Sequence, residues 1–400
     1  MRLIERSYYL DRLMGAVGSP DIKVVTGIRR SGKSKLLEAL ADQIRKNDPV
    51  ANIIRINFNL LEFEPISEYH ALHNYIEKRY IDGVSNFVMI DEVQLCKGFE
   101  RTINSLHASE KYDIYITGSN AFLLSSDLST LFTGRTFEIE VFPFSLEEFT
   151  QYYEIKQPEE ALSRYLREGG MPGSFVYADE RARYTYISDV LDTLVLRDIK
   201  QKYHVRNTEQ LKRACNFLMD NIGNITSVSA MAARLSSAGF RISDKTLALY
   251  MDYLCDAFAF YKISRYDIAG KKYLTTGDKY YLSDHSFRYA KLGTRKLDYG
   301  HVCENMVAIE LLRRGWEVYV GVLYQKEVDF VAIRRDERMY IQVSDDISQE
   351  KTFQREIDPL LKIRDNYPKF VIARTGHDLV DWDGVKVIDL AQWLMGSYCV

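Results

Sequence analysis

The sequence predicts an α/β protein whose first third is a parallel sheet covered on both faces, followed by further, differently built domains. Three observations carry that expectation. From residue 1 to about 145, short strands that are apolar nearly throughout alternate with helical stretches, the pattern of strands buried on both sides. A glycine-rich turn joins the first of these strands to its helix. Beyond residue 206 the order changes to three helices and a hairpin, and then to helix, three strands, helix and more strands.

Composition sets the frame. Four hundred residues exceed what one hydrophobic core usually organises. An apolar content of 46% with 27% charged residues describes a globular chain. The net charge of −3 gives no bulk attraction to nucleic acid and leaves only local basic patches for that role. Five cysteines at 96, 215, 255, 303 and 399 lack a CxxC spacing, which suits reduced thiols better than disulfides or zinc. The opening MRLIERSYYLDRL has no signal-like apolar run, and no segment approaches a membrane span, so the expected location is cytoplasmic with no membrane partner.

The first strands are expected at 21–26, 52–58, 86–91, 112–118 and 136–142, with a helix over 33–46 between the first two. Between strand and helix, TGIRRSGKS sets Gly27, Gly32, Lys33 and Ser34 in the spacing GxxxxGK[ST]. Glycines let successive backbone N–H groups curl round phosphates, a lysine there reaches the β- and γ-phosphates, and the hydroxyl ligates Mg²⁺. The helix N-terminus adds its partial positive charge. The whole loop, Gly27, Ile28, Arg29, Arg30, Ser31, Gly32, Lys33, Ser34 and Lys35, is therefore the expected ATP-binding segment of a P-loop NTPase sheet.

FVMIDE ends a buried strand with Asp91 and Glu92, at the edge where ligands bind in open α/β sheets. Asp91 is expected to hold Mg²⁺ through water, and Glu92 to act as general base on the attacking water. ITGSN brings Ser119 and Asn120 to the tip of the next strand, either as a γ-phosphate sensor or as a helix N-cap. Arg135 precedes the fifth strand and is either a finger-like arginine acting on a neighbour's nucleotide, which would require an oligomer, or a surface residue.

Residues 1–145 thus form the expected nucleotide core, and 146–205 a helical lid interrupted by GGMPG. Residues 206–296 match a winged helix-turn-helix, with helices over 227–239 and 243–257 and a hairpin as the wing. That wing carries Lys262, Arg265, Lys271, Lys272 and Lys279 interleaved with Tyr261, Tyr266, Tyr273 and Tyr280. Such a set either binds a nucleic-acid backbone or is an ordinary half-buried hairpin.

Residues 297–400 suit a restriction-endonuclease-like α/β domain of the PD-(D/E)xK kind. Glu304 lies on its first helix, Asp329 beside Glu327 in the second strand, and Gln342 in the third. Mg²⁺ prefers carboxylate oxygen, so Gln342 weakens the set. Ser344 stands where such a nuclease wants lysine, and transition-state charge there needs a cation. Lys351 on the following helix is the candidate replacement, opposed by Asp345 and Asp346. The expectation is an inactive, degenerate nuclease site that serves binding or assembly. His70 and His73, spaced HxxH without a third ligand, read as a solvated face.

Taken together, TGIRRSGKS, IDEVQ, ITGSNAFLLSSDLSTLFTGR, PFSLEEF, GGMPG, VLRDI, YYLSD and the closing CENMVAIELLRRG…EVDFV…IQVSD resemble the bacterial and archaeal AAA-type ATPases that carry an uncharacterised C-terminal region. The resemblance covers nearly the whole chain. It implies an ATPase core, a winged helix and a degenerate nuclease-like end, with Lys33, Ser34, Asp91 and Glu92 as the nucleotide site, Ser119 or Asn120 as sensor, and Arg135 as a finger. It also implies that Arg6 lies near the adenine or the phosphates. The expected function is an oligomeric, Mg²⁺-dependent ATPase that moves or remodels nucleic acid, DNA foremost, or a nucleoprotein complex. A nucleotide-gated scaffold for a protein partner is the alternative, and an ATP-dependent nuclease a lesser one.

Overall fold

The computed structural model describes residues 4–118, 132, 134–293, 298–377 and 380–397. They fall into two compact units, Arg2–Phe142 and Pro143–Val400.

The first unit alternates helix and strand. Helix α1 (Ser7–Gly15) precedes β1 (Ile22–Thr26), and α2 (Lys33–Asn47) leads to β2 (Asn52–Asn57). Then come α3 (Tyr69–Glu77), β3 (Asn86–Asp91), α4 (Phe99–Ala108), β4 (Asp113–Thr117) and β5 (Thr136–Glu140). The strands form one all-parallel sheet in the order β2-β3-β4-β1-β5. Every residue of β1 and β3 is buried, which the unbroken apolar pattern requires. One core cluster gathers Ile54, Val88, Ile103 and Ile116; another joins Leu13, Leu37, Leu40 and Met89. Parallel register sets the ends Thr26, Asn57, Asp91 and Thr117 on one edge of the sheet. Lys23 departs from the apolar pattern: it is wholly buried in β1, where Nζ meets Asp113 at 2.6 Å and the Ser19 carbonyl at 2.6 Å.

The second unit begins with helices α5 (Leu146–Tyr153), α6 (Pro158–Glu168), α7 (Glu180–Thr193) and the short α8 (Lys200–Tyr203). A π-helical turn at Leu194–Ile199 joins the last two and contains the VLRDI motif. Three helices follow, α9 (Thr208–Asp220), α10 (Val228–Ser237) and α11 (Asp244–Asp256), then the hairpin β6 (Phe260–Asp267) and β7 (Lys272–Leu282). Ser227 and Ser243 cap α10 and α11 by accepting from the N–H groups of Ala230 and Thr246. After α12 (Ser286–Leu292) and α13 (Tyr299–Arg313) come β8 (Glu317–Leu323), β9 (Lys326–Arg334), β10 (Glu337–Ser344), α14 (Glu350–Leu361), β11 (Lys369–Ala373), β12 (Val380–Trp382), β13 (Val385–Asp389) and α15 (Leu390–Leu394).

All eight of these strands make a single mixed sheet, ordered β12-β13-β11-β10-β9-β8-β6-β7. The hairpin expected to stand apart as a wing instead extends the C-terminal sheet: β6 pairs in parallel with β8 through Arg265–Val320, Tyr266–Gly321 and Asp267–Val322. Gly321 makes the approach feasible. A Cβ there would lie 2.9 Å from Ile268, Val328 and Val331 side chains, tighter than packed interiors allow. Pairing also covers an edge of β8 that would otherwise offer open hydrogen-bonding groups.

The lysines and tyrosines of the hairpin are divided between buried and exposed positions, as in a half-buried hairpin. Tyr266, Lys279 and Tyr280 are buried: Lys279 meets Glu304 on α13 at 2.8 Å, and Tyr266 joins a core cluster with Leu323, Val328 and Leu360. Lys262 pairs with Asp278 at 3.1 Å. Lys271 and Lys272 at the hairpin tip are exposed, as is Tyr273. Among the described residues no helix is long and apolar enough to cross a membrane.

Candidate nucleotide site

The loop between β1 and α2 is shaped by two left-handed residues, Arg30 (φ 63°) and Gly32 (φ 102°). Gly32 opens the helix, its carbonyl accepting the first helical bond from the Leu36 N–H at 3.0 Å. The first turn of α2 holds no acidic side chain, so no carboxylate offsets the positive end of the helix dipole. Gly27 is needed for packing, since a Cβ there would stand 2.2 Å from the Val141 carbonyl oxygen.

Lys33 is buried and curls over its own loop, donating to the carbonyls of Gly27 (2.7 Å) and Ile28 (2.9 Å). Ser31 Oγ is buried and has no hydrogen-bond partner among the described residues. Ser34 is half-buried at the helix start, Arg29 is half-buried, and Arg30 is exposed. Lys35 turns outward, pairing with Glu38 at 2.6 Å on the solvent side of α2.

Arg6, just ahead of α1, reaches the loop directly. Its guanidinium donates to the Ser31 carbonyl (2.8 Å) and the Phe142 carbonyl (2.9 Å) and lies over the Tyr9 ring at 4.5 Å. The arginine is buried and ties the loop's backbone to the chain after β5.

Two strands away from β1, Asp91 ends β3 and is buried. Thr117, the last residue of the intervening β4, donates its hydroxyl to Asp91 Oδ1 at 2.5 Å and accepts from the Glu92 N–H at 3.3 Å. Glu92 adopts a left-handed conformation (φ 55°, ψ 48°), which turns the chain off the strand end. Its carboxylate accepts from Gln94 Nε2 at 2.5 Å. Thr117 and Gln94 were not singled out from sequence. The one available signal was a polar residue closing the apolar run YDIYIT.

The loop and the Asp91–Glu92 turn therefore share the C-terminal edge of one sheet. A buried carboxylate, a half-buried hydroxyl and an orphaned buried hydroxyl beside a helix N-terminus fit a magnesium–triphosphate. Ser34 and Asp91 are the residues that would hold the ion. Arg135 lies elsewhere: exposed, it precedes β5 at the opposite edge, where its carbonyl accepts from the Ile22 N–H at 2.9 Å. Ser119 and Asn120 lie outside the described residues.

In the second unit, Glu304 on α13, Asp329 on β9 and Gln342 on β10 come together, and all are buried. Glu304 Oε1 accepts from Lys279 Nζ at 2.8 Å and from the Tyr281 hydroxyl at 2.6 Å, while His301 Nδ1 stands 3.3 Å from Oε2. Lys279 also pairs with Glu327 at 2.7 Å. Asp329 Oδ2 accepts from the Val343 N–H (2.8 Å), and its own N–H donates to Gln342 Oε1 (3.2 Å). Gln342 Nε2 in turn donates to Glu356 at 2.9 Å. Burial pushes Glu304 up, but the Lys279 ammonium and hydrogen bonds from His301, Lys279 and Tyr281 outweigh it and hold the carboxyl below its usual range. Asp329 is driven well above its usual value by burial and then by the Glu304 charge.

Ser344 donates to the Asp346 carbonyl at 3.1 Å, Asp345 pairs with Arg374 at 2.8 Å, and Lys351 is exposed on α14. No described contact brings Lys351 to the acids. Lys279, Tyr281 and Glu356 were missed as members of this cluster because nothing in their spacing links them to Asp329. His73 contacts the Ser105 hydroxyl at 3.1 Å and His70 stacks beside Tyr69. Among the described residues no group of three or more His, Cys, Asp or Glu side chains could hold a metal ion.

Known proteins resemble this chain in part and in whole. Residues 19–150 match a family model described as an AAA domain, and residues 159–298 match a domain of unknown function (DUF8612). An uncharacterised protein of Haemophilus influenzae is 37% identical over 98% of this chain and 99% of its own length. An uncharacterised protein of Methanocaldococcus jannaschii is 26% identical over 84% of this chain and 77% of its own. Among solved structures, the Walker-type ATPase PABY2304 of Pyrococcus abyssi aligns over 72% of this chain and 95% of its own, at 16% identity and a TM-score of 0.47. With the loop, the Asp91–Glu92 turn and the parallel sheet in place, the chain belongs to the family of AAA-type P-loop ATPases that carry a C-terminal domain of unknown function.

Proposed function

We propose that the chain is a Mg²⁺-dependent ATPase that uses hydrolysis to move or remodel nucleic acid, DNA foremost, or a nucleoprotein complex. The observation that carries the catalytic part is the hydrogen-bonded pair Thr117–Asp91 with Glu92 next in the chain, on the same sheet edge as the Lys33 loop. Bound Mg²⁺ supplies charge neutralisation at the β- and γ-phosphate oxygens. Lys33 gives up its two loop carbonyls for phosphate oxygens, so its ammonium is already at the loop when the nucleotide arrives. Glu92 orients and deprotonates the attacking water. Gln94, bonded to that carboxylate, fixes its direction.

Arg135 sits about 15 Å from the phosphate edge of its own sheet, taking roughly 3.3 Å per residue along β1 and β5. That separation favours action on a neighbour's nucleotide, and hence an oligomer.

The nucleic-acid part is supported by the capped helix pair α10 and α11 followed by a hairpin, which we read as a winged helix-turn-helix. The basic tip at Lys271 and Lys272 with exposed Tyr273 suits contact with a backbone. ATP turnover by the full chain, measured with single-stranded, duplex and branched DNA across salt concentrations, tests this. Stimulation that weakens as salt rises is expected. Unchanged turnover together with no salt-sensitive DNA binding would overturn the nucleic-acid reading in favour of a scaffold for a protein partner. Lys33→Ala and Glu92→Gln should both abolish turnover, the second while still binding ATP; wild-type turnover in Glu92→Gln would remove Glu92 from the general-base role.

A further inference from the structure

Glu304, Asp329 and Gln342, the set expected from sequence as a degenerate divalent-ion site, come together in the second unit. Their hydrogen bonds do not fit one. Both oxygens of Glu304 are engaged, Oε1 by Lys279 and Tyr281 and Oε2 by His301. Asp329 is held by the Val343 N–H, and the Gln342 carbonyl oxygen is turned onto the Asp329 N–H. A divalent ion needs several such oxygens free and converging.

Buried carboxylates in this number still need a cation nearby. For Glu304 and Glu327 it is Lys279, only 3% exposed, with its ammonium between Glu304 at 2.8 Å and Glu327 at 2.7 Å, while Arg355 pairs with Glu356. The lysine comes from β7 of the hairpin, outside the strand pair that carries Asp329 and Gln342. Access is not what keeps metal away. A cavity of 640 Å³ opens on the α10 side, lined in part by Lys279, Asn224 and Arg234, and one of 550 Å³ lies on the Gln342 side. The two share His301, Glu304, Glu327 and Asp329, so an ion could approach the cluster from either side.

We propose that the Lys279 ammonium is a built-in replacement for the divalent cation, so that this site takes no Mg²⁺ or Mn²⁺ while Lys279 is in place. The same contact fastens β7 to α13 and β9, beside the β6–β8 pairing that joins the hairpin to the C-terminal sheet. A lysine fixed as counter-ion to two carboxylates is not available to orient a water against a phosphodiester. The inference is independent of what the ATPase acts on.

Mn²⁺ binding to the nucleotide-free full chain, followed by the electron paramagnetic resonance of the free ion, tests it. Asp91→Asn removes the contribution of the nucleotide site. In that background the chain should bind no Mn²⁺ at up to about 1 mM, the weak end of biological divalent-ion sites. Adding Lys279→Ala should create one site, with a dissociation constant on the order of 10⁻⁴ M, and Asp329→Asn should then remove it. Lys279→Met, which keeps the apolar stem, serves if Lys279→Ala does not fold. One equivalent of Mn²⁺ bound with Lys279 intact and lost in Asp329→Asn would overturn the proposal, and so would a folded Lys279 variant that binds none. The first of these outcomes is readable even if neither Lys279 variant folds.

Discussion

The Thr117 hydroxyl donates to Oδ1 of Asp91 at 2.5 Å, across the neighbouring strands β4 and β3. Through this bond a residue on one strand sets the direction of the carboxylate on another, and the Thr117 hydroxyl oxygen in turn accepts from the Glu92 N–H. Groups that orient metal-binding carboxylates typically contribute 10- to 100-fold. Thr117→Val keeps the shape and removes the hydroxyl. It should lower ATP turnover by about 10- to 100-fold and leave ATP binding in the absence of Mg²⁺ unchanged. Turnover at wild-type level would show that Asp91 needs no such support.

Arg6 acts on the loop from the other side. Its bonds to the Ser31 and Phe142 carbonyls are charge-assisted and buried, and removing one such partner costs about 1.5–3 kcal/mol. Arg6→Ala should therefore lower the unfolding free energy of the first unit by about 3 kcal/mol and weaken ATP binding, since the loop loses its brace. Thermal unfolding with and without ATP measures both effects. A variant of unchanged stability with weakened ATP binding would instead assign Arg6 to direct nucleotide contact.

The junction between hairpin and C-terminal sheet depends on Gly321. Gly321→Ala puts a methyl group 2.9 Å from three side chains, and overpacking of this kind costs about 1–3 kcal/mol. Hydrogen exchange should quicken across β6 and β8 and leave β1 to β5 unaltered. Equal protection of β6 in both proteins would mean that the pairing does not depend on the missing side chain.

His301 makes the Lys279 cluster sensitive to pH. Its hydrogen bond to Glu304 raises it above the ordinary 6.5, outweighing burial; the Glu304 and Asp298 charges add to the rise and Lys279 opposes it. Between 6.5 and the raised value the folded chain keeps a proton that the unfolded chain has released. Stability from this group is then complete below 6.5 and is lost as pH climbs through the folded value. Denaturant unfolding from pH 6 to 9 should show that decline in the wild type and a flatter profile in His301→Gln. Parallel profiles would mean His301 does not gain its proton on folding.

How much of this was legible beforehand depends on the range of the interaction. The loop from Gly27 to Lys35 was readable because its chemistry is contained in nine consecutive residues. The position of Asp91 and Glu92 at a strand end was readable because the apolar run FVMI stops at them. Thr117 was not, since its role exists only when β4 lies between β1 and β3 in register. Lys23 was hidden likewise: in sequence it interrupts an apolar strand, and only the fold supplies Asp113 at 2.6 Å. Arg135 could be named from sequence, but its place at the far edge of the sheet follows from the parallel pairing of β5 with β1.

By itself the sequence determined the nucleotide-binding loop, the parallel sheet and the candidate acids Glu304 and Asp329, because periodicity and local motifs are encoded over a few residues. The tertiary structure decided what those acids do. Lys279 lies 25 residues before Glu304 and 50 before Asp329 in the chain, on a hairpin whose amphipathic pattern suited a free wing as well as a sheet edge. Only the pairing of β6 with β8, permitted by Gly321, carries that ammonium into the buried acids. A charge pair formed across distant strands has no signature in either strand alone, and this one separates a metal site from an ion pair.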